Sequence, residues 1–95
     1  MRGECALCGR WAELERHHMI GGTANRRLSE KYGLVVYLCA ECHRTGKHAA
    51  HLDKGTQILL HRMAQRTWME EQNATVEDFI HVFGKNFLEG DADDT

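Results

Sequence analysis

Two Cys-x-x-Cys pairs constrain this chain more than any other feature. Cys5 and Cys8 form the first pair, and Cys39 and Cys42 form the second. Each pair supplies two thiolates from a single turn, so two such turns complete the tetrahedral coordination of a structural zinc ion. The competing interpretations are four buried free thiols or a redox-active pair, and neither explains why the spacing occurs twice. The sequence therefore predicts a Zn²⁺ site that joins the two turns.

Length and charge bound what such a chain can do. The 95 residues suffice for one domain, in which a bound metal supplies much of the stability. The net charge of −2 hides a division: residues 1–69 carry eleven Lys or Arg against six Asp or Glu, whereas residues 70–95 carry one against eight. The first part is thus predicted to present a basic face to phosphates, and the acidic end to act as a solubilising tail.

The start of the chain and its hydropathy bear on location. No apolar run approaches the roughly 20 residues of a membrane span. The first residues do not resemble a signal peptide, which has an apolar core. We therefore expect a cytoplasmic protein without membrane contact, in a setting where thiols stay reduced.

Local patterns predict an α+β fold. Strands are predicted at 11–20 and 34–38, separated by a loop at 21–25 and by a segment at 26–32 that forms either a short helix or an ordered loop. A helix is expected to open at the second Cys-x-x-Cys turn. A longer helix is expected at 56–72, and a third helix at 76–83. Thr75 and Asp78 match a capping box for the last helix, and Gly84 matches its C-terminal cap.

These elements suggest a division of the chain into three parts. Residues 1–55 form the zinc-stapled core, residues 56–87 form helices that pack on it, and residues 88–95 form the acidic tail. The helices are expected to cover the core with five apolar side chains: Leu59, Met63, Trp68, Phe79 and Phe83. A monomer is expected rather than a homodimer, because such a small core absorbs the apolar helix faces.

The histidines form the second informative set. Seven are present, of which five lie between residues 17 and 51. His17 and His18 are adjacent at the end of the first predicted strand, so they point to opposite faces, and one can bind a metal while the other faces a cleft. His43 follows the last cysteine directly and is positioned by the zinc turn. This clustering favours a second metal site over scattered, solvated rings.

With these motifs the chain resembles the HNH nucleases of the ββα-metal (His-Me finger) superfamily, and within it the zinc-stapled type found in phages and prophages. Arg16 to Gly22 and Leu38 to His43 carry the resemblance, which covers about residues 5–52. It implies a small zinc-bound ββα-metal, treble-clef-like core with additional C-terminal helices. It further implies hydrolysis of DNA phosphodiester bonds by one divalent metal and a histidine general base.

The resemblance also implies roles for individual residues. His18 occupies the position of the general base, while His17 and His43 occupy positions of catalytic metal ligands. His51 is a further ligand or a phosphate contact. An imidazole replaces the family's usual carboxylate at position 17, which favours Mn²⁺, Ni²⁺, Co²⁺ or Zn²⁺ over Mg²⁺. The Asn that many members carry before the second strand is absent, and Asn25 is a conceivable replacement.

Basic residues near these motifs are expected to contact backbone phosphates without reading sequence. They are Arg26, Arg27, Lys31, Arg44 and Lys47. Two rival interpretations stay open. One is a non-catalytic zinc module that binds nucleic acid or protein, and the other is an interaction protein whose acidic C-terminal half docks a basic partner, such as a phage packaging or recombination component.

Overall fold

The computed structural model, which describes residues 1–88, is a small α+β fold built on a three-stranded antiparallel sheet. The strands are β1 (Arg2–Glu4), β2 (Trp11–His18) and β3 (Val35–Cys39), and β2 lies in the centre. In the β2–β3 register, Leu14 pairs with Cys39 and His18 pairs with Val35. The strand predicted at 11–20 thus ends two residues earlier, and the one predicted at 34–38 is shifted by one residue.

Strand β1 was not predicted, because three residues carry no periodic signal. It forms because the first Cys-x-x-Cys turn reverses the chain, so that Glu4 pairs with Trp11. The backbone N–H of Cys5 donates to the carbonyl of Arg10 at 2.9 Å across this turn. Gly9 adopts a φ of 78°, a conformation that a side chain would disfavour.

The segment between β2 and β3 is a helix, not an ordered loop. Helix α1 covers Thr23–Tyr32 and therefore begins inside the loop predicted at 21–25. Gly33 ends it in the left-handed conformation, with a φ of 70°. Ser29, fully buried, donates its hydroxyl to the carbonyl of Ile20 at 2.9 Å. This bond fixes α1 against the loop that follows His18.

The short helix predicted to open at the second Cys-x-x-Cys turn is present, but as π-helix and not as α-helix. Glu41–Thr45 form a single π-helical turn, closed by a 2.8 Å hydrogen bond from Gly46 N–H to the carbonyl of Glu41. The chain then folds back, since the backbone N–H of His51 donates to the carbonyl of His43 at 3.2 Å. A regular helix would have carried residue 51 away from residue 43.

Two α-helices complete the described part of the chain. Helix α2 covers Lys54–Gln72 and starts at Asp53, whose carboxylate accepts from Thr56 N–H at 2.9 Å. Helix α3 covers Val76–Phe83, with the predicted capping box and the predicted Gly84 terminus both confirmed. No helix among residues 1–88 is long and apolar enough to cross a membrane.

The buried cluster joins the sheet to the C-terminal helices. It contains Leu38 from β3, Leu60, Ala64 and Trp68 from α2, and Phe79 from α3. Trp68, Phe79 and Phe83 are buried as predicted. The same expectation was wrong for two positions: Leu59 and Met63 are 48% and 38% exposed. Helix α2 instead turns the neighbouring stripe of 60, 64 and 68 inward. Residues 89–95 of the predicted acidic tail lie outside the described residues.

Candidate metal centres and the histidine cleft

The four cysteines converge. Their Sγ atoms all lie within 4.8 Å of one another, and those of Cys8 and Cys39 are 3.9 Å apart. In a tetrahedral site with a zinc–sulfur distance of about 2.3 Å, sulfur atoms lie roughly 3.8 Å apart. Because this spacing is met and Cys5 and Cys39 are buried, the cluster can hold a structural metal ion such as zinc.

The ionisation of the thiols agrees with this interpretation. Burial opposes the thiolate of Cys5, but hydrogen bonds from the backbone of residues 7, 8 and 39 lower its pKa to about 6. Burial and the neighbouring sulfurs raise the pKa of Cys42. Four neighbouring thiols cannot all ionise without a cation between them, and a bound dication would supply that charge.

Three histidines form a second cluster. His17 lies near the end of β2, His43 on the π-helical turn, and His51 in the turns before α2. Their ring nitrogens lie within 4.8 Å of one another, and the Nε2 atoms of His43 and His51 are 2.9 Å apart. Two ring nitrogens this close share either a proton or a cation, and the third ring favours the cation. His17 and His43 are thus brought together as predicted, with His51 as a third potential ligand.

The environment favours the neutral form of His17 and of His51. Burial, followed by the nearby charges of His51 and His43, lowers the pKa of His17 to about 4. Burial also lowers the pKa of His51. A neutral imidazole presents a lone pair, which is the form that binds metal. Three imidazoles without a carboxylate suit Zn²⁺, Ni²⁺ or Co²⁺ better than Mg²⁺, which requires oxygen ligands.

Glu15 orients one member of this cluster. Its Oε1 atom accepts from Nδ1 of His43 at 2.8 Å, and its carboxylate also accepts two hydrogen bonds from Arg44. Arg44 and then His43 lower the pKa of Glu15 to about 2. With a proton on Nδ1, His43 directs the Nε2 lone pair towards His51 and His17. Glu15 was not singled out in the sequence, although it precedes His17 by two residues and therefore shares its face of β2.

Glu30 plays the corresponding part for His18. Its Oε2 atom lies 2.7 Å from Nε2 of His18, and its Oε1 accepts from Nη2 of Arg16 at 2.6 Å. Arg16 and then His18 lower the pKa of Glu30 to about 2. The ionised carboxylate accepts a hydrogen bond from Nε2–H, which leaves Nδ1 as the acceptor of the ring. Glu30 lies on α1, so no pattern within β2 points to it.

Strand β2 therefore separates the two sets of histidine contacts. Glu15 and His17 occupy one face and belong with the three-histidine cluster, whereas Arg16 and His18 occupy the other and contact Glu30. The predicted alternation of His17 and His18 explains why adjacent rings have different partners.

All four rings nevertheless line one cleft of about 620 Å³. Arg26 of α1, His61 of α2 and Lys85 also line it, and none of its lining residues within the described chain is Asp or Glu. A second groove shares His18 and Arg26 with the first and adds Thr23, Arg27, Lys31 and one carboxylate, that of Glu30. The lining of this first cleft thus carries positive but no negative side chains, whereas Glu15 and Glu30 contact His43 and His18 from outside that lining.

The other predicted site residues lie as follows. Asn25 lines the cleft, whereas Arg44 is committed to Glu15. Lys47 is exposed and lines neither groove. His48 is exposed, with Nδ1 3.8 Å from Oδ1 of Asp53. His61 also lines the cleft, although no motif in the sequence points to it.

Comparison of the chain with protein-family models, curated proteins and solved structures found no match.

Proposed function

We propose that the protein is a metal-dependent endonuclease that hydrolyses DNA phosphodiester bonds, with His18 as the general base. The observation that carries the proposal is the position of His18 in the same cleft as the His17, His43 and His51 cluster. The proposal also assigns β2, β3 and the π-helical turn to a ββα-metal core, with the cysteine cluster as its zinc staple.

The charge of the cleft supports an anionic substrate. Arg26 and Lys85 line it together with the histidines, and Arg27 and Lys31 extend the cationic surface along α1. Such side chains bind phosphodiester oxygens without reading the bases. A carboxylate-lined cleft would repel the same group.

The hydrogen bond between His18 and Glu30 supports the role of a base. Glu30 holds the proton of His18 on Nε2, so Nδ1 accepts a proton from water as that water attacks phosphorus. The ring is also fixed in orientation, because Arg16 holds the carboxylate of Glu30 from the other side. A positioned neutral imidazole is suited to this work near neutral pH.

The three-histidine cluster supports a role for a metal. A divalent ion bound to His17, His43 and His51 would polarise a phosphate oxygen as a Lewis acid. It would also stabilise the negative charge that develops on the leaving oxygen. Glu15 and Arg44 hold His43 in the tautomer that binds it. The cysteine cluster keeps the π-helical turn, and hence His43, next to β2.

The test compares two histidine variants. His18→Ala should lose cleavage of supercoiled plasmid and of single-stranded DNA with Mn²⁺, Ni²⁺ or Co²⁺, while zinc content and the thermal unfolding midpoint stay unchanged. His81→Ala is the matched control, because His81 is exposed on α3 and lines neither groove. Undiminished cleavage by His18→Ala would remove the proposed base. A wild-type protein that holds zinc and binds DNA but never cleaves it would instead be a non-catalytic zinc module.

A further inference from the structure

We propose that the C-terminal helices do more than cover the core: Lys85 and His61 form an anion subsite that binds a DNA phosphate next to the scissile one. The inference rests on the proposed function for the identity of the anion. Both side chains line the cleft that holds the His17, His43 and His51 cluster. They come from parts of the chain that the metal-binding motifs do not include.

Hydrogen bonds from α2 hold the segment after α3 in place. Gln65 of α2 is fully buried, and both ends of its amide are used. Its Oε1 accepts from the backbone N–H of Phe87 at 2.7 Å, and its Nε2 donates to Oδ1 of Asn86 at 2.9 Å. A buried glutamine whose amide makes both hydrogen bonds links the helix that carries it to the segment that it contacts. Lys85 is therefore attached to α2 through the two residues that follow it.

Packing places His61 beside this segment. The rings of His61 and Phe87 have centroids 4.5 Å apart, and Phe87 also contacts Phe79 edge to face at 5.9 Å. Phe87 is only 8% exposed. Helix α2 and the segment at 85–88 thus form one continuous wall of the cleft, with His61 and Lys85 on it.

The distribution of charge singles out Lys85. It is the single Lys or Arg in residues 70–95, where eight residues are acidic, and this one cation lines the cleft. Among the ion pairs of the described residues, Arg16 is held by Glu30, whereas neither Arg26 nor Lys85 takes part in one. These two cations of the cleft are therefore able to bind a substrate anion without first breaking an internal ion pair.

The experiment measures binding of a 12-nucleotide single-stranded DNA by fluorescence anisotropy, in a His18→Ala background that prevents turnover. Lys85→Ala should weaken binding about two- to five-fold, as expected for one exposed charge contact. The slope of log Kd against log salt should fall by about 0.7, since one phosphate contact is lost on a single strand. Lys85→Arg should retain most of both.

Arg66→Ala is the control, because this substitution also removes one positive charge. Arg66 is exposed on α2 and lines neither groove. Its salt slope should equal that of the parent. Equal slopes for Lys85→Ala and Arg66→Ala would overturn the subsite, even if the wild-type protein cleaves DNA. A reduced slope for Lys85→Ala in a protein whose wild-type form never cleaves DNA would support the subsite and reject the nuclease instead.

Discussion

Glu30 and His18 are joined by a 2.7 Å contact between Oε2 and Nε2, and this contact decides which nitrogen of His18 is available for chemistry. Glu15 makes the equivalent contact with Nδ1 of His43, at 2.8 Å. Opposite ring nitrogens are thus held in the two cases. His18 is left with Nδ1 as its acceptor, and His43 with Nε2. In the proposed mechanism, the same residue type thus prepares one ring for proton transfer and the other for metal binding.

Glu30→Gln should lower kcat about 10- to 100-fold and leave metal affinity unchanged. The amide keeps the shape of the side chain but no longer holds the proton on Nε2 of His18 or the charge that faces Arg16. The measurement is kcat and KM for a short DNA, together with the Mn²⁺ dependence of the rate. Glu13→Gln is the control, because Glu13 is an exposed residue of β2 that pairs with the N-terminus. A kcat equal to that of the control would show that Glu30 does not position the base.

Glu15→Gln should show the opposite pattern. We expect metal affinity at the three-histidine cluster to fall about 10- to 100-fold, because Nδ1 of His43 loses its ionised partner. High Mn²⁺ or Co²⁺ should then restore kcat, which distinguishes this variant from Glu30→Gln. Isothermal titration with Co²⁺ and the metal dependence of cleavage are the measurements. Unchanged Co²⁺ affinity would contradict the assignment of Glu15.

The site residues next to sequence motifs were predictable, and their partners were not. His17 and His43 stand beside the strand end and the cysteine turn that position them. Glu30 contacts His18 only because α1 packs across β2, which no spacing in the sequence encodes. His51 approaches His43 because the predicted helix consists of a single π-helical turn, after which the chain folds back. Site residues within local motifs could thus be predicted from the sequence, whereas contacts created by tertiary packing could not.

The C-terminal helices show the same limit. The apolar residues of α2 form two neighbouring stripes along the helix, and either could face the core. Leu59 and Met63 were predicted to be buried, whereas the fold buries Leu60 and Ala64. The cap of α3 was predictable because a capping box involves residues three apart in the chain.

Cys42→Ser should abolish zinc binding and unfold the part of the chain around the sheet. Structural zinc supplies roughly 10–16 kcal/mol of apparent binding energy in small zinc domains, which exceeds the stability of a domain of this size. Mass spectrometry for zinc and circular dichroism on heating are the measurements. Ala6→Ser is the control, because Ala6 is exposed within the first Cys-x-x-Cys turn and supplies no ligand. A cooperative, zinc-free fold in Cys42→Ser would show that the cysteine cluster is not a zinc staple.

The capping box of α3 should stabilise the fold by an amount that does not fall between pH 7 and pH 5. Thr75→Ala should cost about 1 kcal/mol, because the hydroxyl accepts from the backbone N–H of Asp78 at 3.1 Å. In return the carboxylate of Asp78 accepts from Thr75 N–H at 2.9 Å, and hydrogen bonds from Thr75 lower the pKa of Asp78 below its ordinary 3.8.

The unfolded chain therefore binds this proton more readily, so the contribution of Asp78 is fully present above about pH 3.8 and is lost as the pH falls further. Urea unfolding of Thr75→Ala and Asp78→Asn at pH 7, 6 and 5 is the measurement. Thr67→Ala, at an exposed position within α2, should be neutral or slightly stabilising, because alanine has the higher helix propensity. A cost of Asp78→Asn that falls from pH 7 to pH 5 would mean that Asp78 titrates in that range, and that the hydrogen bonds from Thr75 do not hold its pKa low. The charge of His81, which also lowers the pKa of Asp78, acts in the opposite direction and can only raise this cost.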